Sequence, residues 1–173
     1  MENIDNTKPT MFLDIDGVLA TDTEYSRSRK KYWEKHDEAK NLRIPYPFNP
    51  TCIKVFNKIM SEMDIQIVIS SDWRTHWTIE ELTEIFKYNG ITHFPIDYTP
   101  VIGGMWDHLE RVRAAEIDTY ITKHNIQNYV VVDDLNLGYY FPGKFVLTND
   151  FEGIKKSGVK DKILKILRNG VTG

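Results

Sequence analysis

Acidic and hydroxyl side chains stand at the ends of three short apolar runs of this sequence. Asp14 and Asp16 close the first run, Ser70 follows the second, and Asp133 and Asp134 follow the third. Runs this rich in β-branched residues, with little polar alternation, are typical of strands buried on both faces of a parallel sheet. Because parallel strands end at one edge, these side chains are expected to converge there. Several hard oxygen ligands at one point suit Mg²⁺, which commonly binds through one or two carboxylates and substrate phosphate.

The order of strand-like and helix-like segments predicts a doubly wound α/β fold. Helical patterns fill the gaps between the apolar runs, and this alternation favours a parallel sheet covered by helices. The predicted strands are 11–16, 65–69, 129–132 and 145–147, with a weaker fifth at 91–94.

Sequence signals also predict four main helices. A proline stands at a first helical position, and a Thr-x-x-Glu capping box opens the next helix. The four are expected from Pro50, from Thr78 to near Gly90, over 106–124, and over a terminal stretch that ends before Gly170. No internal repeat, low-complexity tract or linker interrupts them, so a single domain over 1–173 is expected.

Residues 18–48 form a longer connection than the step from a strand to a helix requires. Part of it, 25–40, has a polar helical pattern. A small helical insert here would act as a flap over the carboxyl edge of the sheet, where α/β folds bind ligands. Between residues 24 and 43 it carries seven Lys and Arg against four Asp and Glu, a charge of +3, while the remainder carries −6. A solvated surface helix is an equally weighted interpretation.

The run Asp14-Ile-Asp16-Gly17-Val18, after apolar Phe12 and Leu13, resembles the first motif of the haloacid dehalogenase-like (HAD) phosphohydrolases. Ser70 is similar to the Ser/Thr of the second motif, and the pair 133–134 resembles the acidic fourth motif. The motifs follow one another in the family's order, from residue 11 to about 150.

The third motif of the family calls for a Lys or Arg near a helix start. Arg113 is the best match and Arg111 the reserve. The stretches 70–74 and 113–117 are also similar to a small, capless-type branch of the family, found in RNA-repair proteins.

The resemblance implies a Mg²⁺-dependent phosphomonoester hydrolase with an aspartyl-phosphate intermediate. Asp14 would attack phosphorus, and Asp16 would act as general acid and then as general base. An acid at position 16 is typical of the phosphatases of this family and is absent from its dehalogenases. The other implied catalytic residues are Ser70 and Arg113, the metal ligands are Asp14, Asp16, Asp133 and Asp134, and the substrate contacts are Gly17, Ser71, Trp73 and Arg74.

Each of these sites has a structural alternative. An Asp-x-Asp-Gly run alone is often a turn or a calcium-like loop. Ser70 could cap a helix, and the pair 133–134 could cap a short helix over 135–140. Arg113 could belong to a surface ion pair with a neighbouring glutamate. Trp73 could stack on a base, although tryptophans of α/β folds more often pack beneath loops.

Composition excludes several other classes of protein. The 173 residues carry a net charge of −3 and 12% aromatic residues, which disfavours a disordered chain. Cys52 is the only cysteine, so disulfide scaffolds and multi-cysteine zinc sites are excluded. No stretch approaches the ~20 apolar residues of a membrane span. The polar start MENIDNTKPT is unlike a signal peptide, so a cytoplasmic location without membrane contact is expected.

The expected partner is a phosphomonoester. A basic insert beside the site would attract a polyanion, so a nucleotide or nucleic-acid end phosphate ranks first and another small ester such as a sugar phosphate second. No obligate protein partner is evident. A receiver-type signalling module is the alternative from a different class. Receivers, however, carry their acidic pair on the first strand and the phosphorylated aspartate later, the reverse of the order here.

Overall fold

The computed structural model describes residues 4–21, 29–103 and 108–170. At its centre is a five-stranded sheet in which all neighbours are parallel and the strand order is β3-β2-β1-β4-β5. The strands are β1 (Thr10–Leu13), β2 (Gln66–Ile69), β3 (Pro95–Tyr98), β4 (Tyr129–Asp133) and β5 (Phe145–Leu147). The predicted α/β fold with a parallel sheet is confirmed.

Helices connect the strands on both sides of the sheet. They are α1 (Arg29–Lys35), α2 (Asp37–Asn41), α3 (Pro50–Glu62), α4 (Ile79–Tyr88), α5 (Leu109–His124) and α6 (Val159–Asn169). Two short 3₁₀ turns, Asp72–Thr75 and Gly153–Lys155, complete the described elements.

Capping chemistry fixes the starts of α3 and α4 where the sequence predicted them. The Oδ1 atom of Asn49 accepts hydrogen bonds from the N–H groups of Thr51 (2.9 Å) and Cys52 (3.3 Å), which the first turn of α3 leaves unpaired. Thr78 and Glu81 form the complete capping box at the start of α4.

Successive strand side chains point to opposite faces of the sheet, and the core is divided accordingly. On one face, Met11 and Leu13 of β1 pack with apolar residues of α3, α4 and α6. On the other face, Phe12 packs with α5 and with the segment 135–141. Every residue of β1 and β2 is buried. Both faces are therefore covered by apolar layers.

The strand order reverses between β1 and β4. The chain adds β2 and β3 on one side of β1, and β4 and β5 on the other. In open α/β sheets, ligands bind outside the carboxyl ends of the strands at such a switch point. Asp14 directly follows β1 and Asp133 closes β4, so both residues lie there.

Two segments differ from the sequence prediction. The strand expected at 91–94 is β3, which lies at Pro95–Tyr98 instead. The N–H of Ile91 donates to the carbonyl of Phe86 at 3.0 Å, so residue 91 is still hydrogen-bonded to the end of α4. A proline is tolerated as the first residue of an edge strand. The segment 135–140 forms turns and no helix, so the capping alternative for the pair 133–134 is wrong in that form.

The polar pattern over 25–40 corresponds to the two short helices α1 and α2 in the residues described there. Residues 25–28 lie outside the described part. The helix expected from residue 106 begins at Leu109, and Trp106 also lies outside the described residues. Within the described ranges, no helix is long and apolar enough to cross a membrane.

Gly17 makes the tight turn after β1 possible. Its φ is +67°, and a Cβ atom there would lie 2.5 Å from Oδ2 of Asp134.

We predict that Gly17→Ala lowers the free energy of unfolding more than Gly143→Ala does. Gly143 also has a positive φ (+73°), but nothing lies within 4 Å of its would-be Cβ. Both variants lose about 1–2 kcal/mol to the left-handed conformation, and only the first adds a steric conflict. Equal losses in urea denaturation would show that the approach of Asp134 costs nothing.

Candidate active site

Three carboxylates converge at the carboxyl edge of the sheet. The N–H of Asp14 donates to the carbonyl of Val132 (3.0 Å), which holds the end of β1 beside the end of β4. One carboxylate oxygen each of Asp14, Asp133 and Asp134 lies within 4.8 Å of the others. The convergence that the sequence predicted for the first and third strand ends is therefore present.

Arg113 projects from α5 into this group of carboxylates. Its Nη1 atom lies 3.1 Å from Oδ2 of Asp133 and 3.5 Å from Oδ2 of Asp14, and its Nη2 atom lies 3.1 Å from Oδ1 of Asp72. Arg113 is buried, whereas Arg111 is exposed. A surface ion pair does not describe this contact, because the guanidinium is buried and two of its partners, Asp14 and Asp133, are buried as well.

Burial disfavours the charged form of these carboxyl groups, and Arg113 offsets that effect only in part. Burial and the charge of Asp14 raise the pKa of Asp133 to about 8, against the opposing effect of Arg113. Burial, the charge of Asp14 and a hydrogen bond with Asp150 raise the pKa of Asp134 to about 7. Burial also raises the pKa of Asp14, although Arg113 opposes the change. Burial disfavours the guanidinium of Arg113, but the surrounding carboxylates outweigh it and raise its pKa.

Asp150 is a site residue that the sequence analysis missed. It lies in the turn after β5, and its carboxyl group is close enough to raise the pKa values of Asp134 and Asp16. The N–H of Thr148 donates to the carbonyl of Asp133 (3.0 Å), which keeps this turn beside β4. The available signal was the same as for the other strands, namely an acidic residue shortly after a predicted strand.

The serine hydroxyl that faces the carboxylates belongs to Ser71. Its side chain lines the cleft beside Asp14 and favours the charged form of that carboxylate, which lowers the pKa of Asp14 against the larger effect of burial. Ser70, which the sequence analysis placed in this role, is fully buried, and its Oγ atom has no hydrogen-bond partner among the described residues. The two serines are adjacent, so the sequence pattern identified the correct turn but not the side chain that faces the cleft.

Both carboxylate oxygens of Asp16 accept hydrogen bonds from aromatic residues. The hydroxyl of Tyr46 donates to Oδ1, and the indole N–H of Trp73 donates to Oδ2 at 2.9 Å. Burial raises the pKa of Asp16, while these two hydrogen bonds lower it. Asp16 lines the cleft but does not belong to the group of three oxygens that could hold one ion.

Three residues expected to contact substrate do not line the cleft. Trp73 is 3% exposed and packs against Trp77 with ring centroids 4.7 Å apart, so no face of its ring is open for stacking on a base. The N–H of Gly17 is taken by the carbonyl of Ala20 (2.8 Å). Arg74 is buried away from the cleft lining.

Arg74 forms a buried ion pair with Glu116, a partner that the sequence analysis did not identify. Its Nη2 atom bonds Oε2 of Glu116, and its Nη1 atom donates to the carbonyl of Ser71 at 2.7 Å. Oε1 of Glu116 accepts the N–H of Ile102 (3.1 Å), and Oε2 lies 3.9 Å from Nε of Arg113. Arg74 therefore fixes the turn after β2, and Glu116 places its carboxylate next to the guanidinium of Arg113.

The cleft has a volume of about 180 Å³. Its lining consists of Asp14, Asp16, Ser71, Asp72, Leu109, Arg113, Asp134 and Leu135. A hard divalent cation fits the donors present, because carboxylate oxygens are its preferred ligands and it would offset the charge that raises the pKa values of Asp133 and Asp134. A carboxylate, a guanidinium and a hydroxyl around one small space are groups that can support phosphoryl transfer.

Comparison with known proteins agrees with this arrangement. A family model described as the HAD domain in Swiss Army Knife RNA repair proteins matches residues 10–159. The match extends from β1 to the start of α6 and includes every residue of the cleft. No curated protein and no solved structure matches the chain. The parallel sheet, the carboxylates at the strand ends and this match agree, so the chain belongs to the family of HAD domains in Swiss Army Knife RNA repair proteins. Its general class is that of the HAD-type phosphohydrolases.

Proposed function

We propose that the chain is a Mg²⁺-dependent phosphomonoester hydrolase that forms an aspartyl phosphate on Asp14 and acts on a nucleotide or nucleic-acid end phosphate. The observation that carries the proposal is the position of Asp14. Its carboxylate lines the cleft together with Ser71 and lies 3.5 Å from Nη1 of Arg113.

In the first step, a carboxylate oxygen of Asp14 attacks phosphorus and the bond from phosphorus to the ester oxygen breaks. The N–H of Ile15 donates to Oδ1 of Asp14 at 2.8 Å and fixes the orientation of the carboxylate. Arg113 and Ser71 would hold the phosphoryl oxygens, because both lie beside Asp14 on the cleft wall. Fixed donors aimed at developing charge supply the largest part of such catalysis.

Asp16 would handle the proton in both steps. It lies two residues beyond Asp14 and also lines the cleft. In its protonated form it gives its proton to the departing ester oxygen, so that an alcohol leaves. It then accepts a proton from the water that attacks the aspartyl phosphate, and phosphate is released with Asp14 restored.

Asp14, Asp133 and Asp134 would hold the metal ion. Mg²⁺ bound there would offset the negative charge of the phosphoryl oxygens and orient them toward the nucleophile. Arg113 keeps the carboxylate of Asp133 in place at 3.1 Å, and the N–H of Leu135 donates to its other oxygen at 2.8 Å. Asp16 is left out of this set because its carboxylate does not belong to the group of oxygens that lie within 4.8 Å of one another.

The size and surroundings of the cleft support a large substrate bound by its terminal phosphate. A volume of about 180 Å³ is below the about 300–1,000 Å³ of pockets that engulf small molecules, so the remainder of a substrate would lie outside. The indole N–H of Trp77 donates to the carbonyl of Leu42 (3.0 Å) and joins the end of α2 to the turn after β2. The helices α1 and α2 carry exposed basic residues, which would favour the binding of a polyanion. These residues are Arg29, Lys30, Lys35 and Lys40. The RNA-repair proteins of the matched family support the same substrate class.

Phosphate release tests the proposed reaction. With Mg²⁺, we expect release from 3′- or 5′-phosphorylated oligonucleotides to exceed release from mononucleotides, sugar phosphates and p-nitrophenyl phosphate. EDTA should abolish it, and Asp14→Asn should lower kcat by about 10³-fold or more because the nucleophile is lost. A folded, Mg²⁺-binding protein that releases phosphate from none of these substrates would contradict the proposal.

The adjacent serines provide a matched pair of variants. We expect Ser71→Ala to lower kcat/KM by about 10²-fold, because it removes a donor beside the nucleophile. Ser70→Ala should leave kcat/KM within a factor of about three, because its hydroxyl is buried and has no described partner. Steady-state kinetics on one oligonucleotide substrate measures both. The reverse ranking would assign the phosphate contact to Ser70.

Thermal denaturation tests the metal site without an activity assay. The pKa of Asp134 is raised to about 7 in the folded state, above its ordinary unfolded value, so the metal-free fold loses stability as the pH rises toward 7 and past it. Mg²⁺ at 100 times its Kd should add about 2.7 kcal/mol, an increase in Tm of about 5–10 °C at pH 8. The increase should be smaller at pH 5, where protons compete for the carboxylates.

Asp134→Asn provides the control for this measurement. It should raise the Tm of the metal-free protein at pH 8, because it removes a repelled charge, and it should reduce the response to Mg²⁺. An equal response to Mg²⁺ in both proteins would exclude Asp134 from the metal site.

A further inference from the structure

We propose that Tyr46 and Trp73 are positioning residues that hold Asp16 in the orientation needed to protonate the leaving group. This inference rests on the proposed phosphatase reaction. It assigns a function to the insert after β1, which supplies Tyr46, and to the turn after β2, which supplies Trp73.

The two donors fix the plane of the Asp16 carboxyl group. A carboxylate has two oxygens with about four lone-pair sites, and a single hydrogen bond would leave it free to rotate. Here Tyr46 binds Oδ1 and Trp73 binds Oδ2. One lone pair on each oxygen remains for the proton or for the leaving group.

The donors are themselves held in place by aromatic packing. The ring of Trp73 lies edge-on to Tyr46 (centroids 6.0 Å apart) and to Phe48 (5.7 Å), and it stacks on Trp77. The N–H of Phe48 donates to Oδ1 of Asn89 at 2.9 Å and ties the segment beside Tyr46 to the end of α4. The orientation of Asp16 therefore depends on residues that lie outside the cleft.

The backbone that carries Tyr46 is itself restricted. Tyr46 stands between Pro45 and Pro47, whose restricted φ angles limit the conformations open to it. The indole N–H of Trp33 in α1 donates to the carbonyl of Ile44 just before this segment. The insert thus presents a phenol hydroxyl to the proposed general acid from a constrained backbone.

Protonation of the leaving group matters most when that group is a poor one. An alkoxide needs a proton as it departs, whereas p-nitrophenolate leaves readily without one. A residue that orients the acid should therefore affect alkyl phosphates and spare p-nitrophenyl phosphate. A residue that only supports the fold should affect all substrates to the same extent.

Tyr46→Phe tests this prediction, because it removes the hydroxyl and keeps the ring packed on Trp73. We expect kcat/KM to fall by about 10–100-fold for an alkyl phosphate, part of the about 10²–10⁴-fold that general acid–base catalysis supplies. The value for p-nitrophenyl phosphate should change less than about threefold, and phenyl phosphate should lie between the two.

Tyr32→Phe is the matched control. It removes a phenol hydroxyl from the same insert, but that hydroxyl donates to the hydroxyl of Tyr88 at 3.2 Å and does not bond Asp16. It should leave the dependence on the leaving group unchanged. Trp73→Phe provides a second test of the contact with Asp16, should Tyr46→Phe fail to fold. It should again spare p-nitrophenyl phosphate.

A double-mutant cycle distinguishes action through Asp16 from any other route. In an Asp16→Asn background, Tyr46→Phe should cause no further loss with the alkyl phosphate. A uniform loss across the ester series, no loss at all, or full additivity with Asp16→Asn would each overturn the proposal. A wild-type protein that hydrolyses no ester would instead refute the proposed function, and the assignment of Tyr46 and Trp73 would fall with it.

Discussion

The site depends on holding like charges together in a buried place. Asp14 and Asp133 end neighbouring parallel strands, so the sheet itself forces their carboxylates together. Arg113 is the one buried cation of the described residues that contacts both, at 3.5 and 3.1 Å. Even so, the pKa values of both carboxyl groups stay raised. Buried carboxyl groups whose pKa values stay raised beside a cation are typical of a functional site, and a second cation bound there would favour their charged forms.

The position of Arg113 is itself determined by a second layer of charges. Glu116, one helical turn further along α5, lies 3.9 Å from its Nε atom and is bound to Arg74. Because that pair is buried, loss of either partner would leave an uncompensated charge, which is far more costly than loss of a surface pair. Arg74 also donates to the carbonyl of Ser71, so the pair of Arg74 and Glu116 contacts both Arg113 and the backbone of Ser71.

The sequence predicted the strand ends well because that signal is local. In each case, a buried strand and the acid at its end, Asp14 or Asp133, can be recognised within about six consecutive residues. The geometry of the parallel sheet then brings the two acids together. The sequence could not distinguish Ser70 from Ser71, since the chain leaves regular strand geometry there and strict alternation no longer decides which side chain faces the cleft. The role of Arg74 depends on Glu116, 42 positions away, and no local pattern identifies such a pair.

The proposed nucleophile and the proposed acid are positioned by different parts of the chain. Asp14 is fixed by the hydrogen bonds of the parallel sheet, which any doubly wound fold would supply. Asp16 lies beyond the strand end, where those bonds stop, and its carboxylate is held by side chains from the insert and the turn after β2. The sheet therefore determines where phosphorus would be attacked. The contacts of Tyr46 and Trp73 determine how the carboxyl group of Asp16 is oriented, so in the proposed reaction the insert contributes to catalysis through Tyr46.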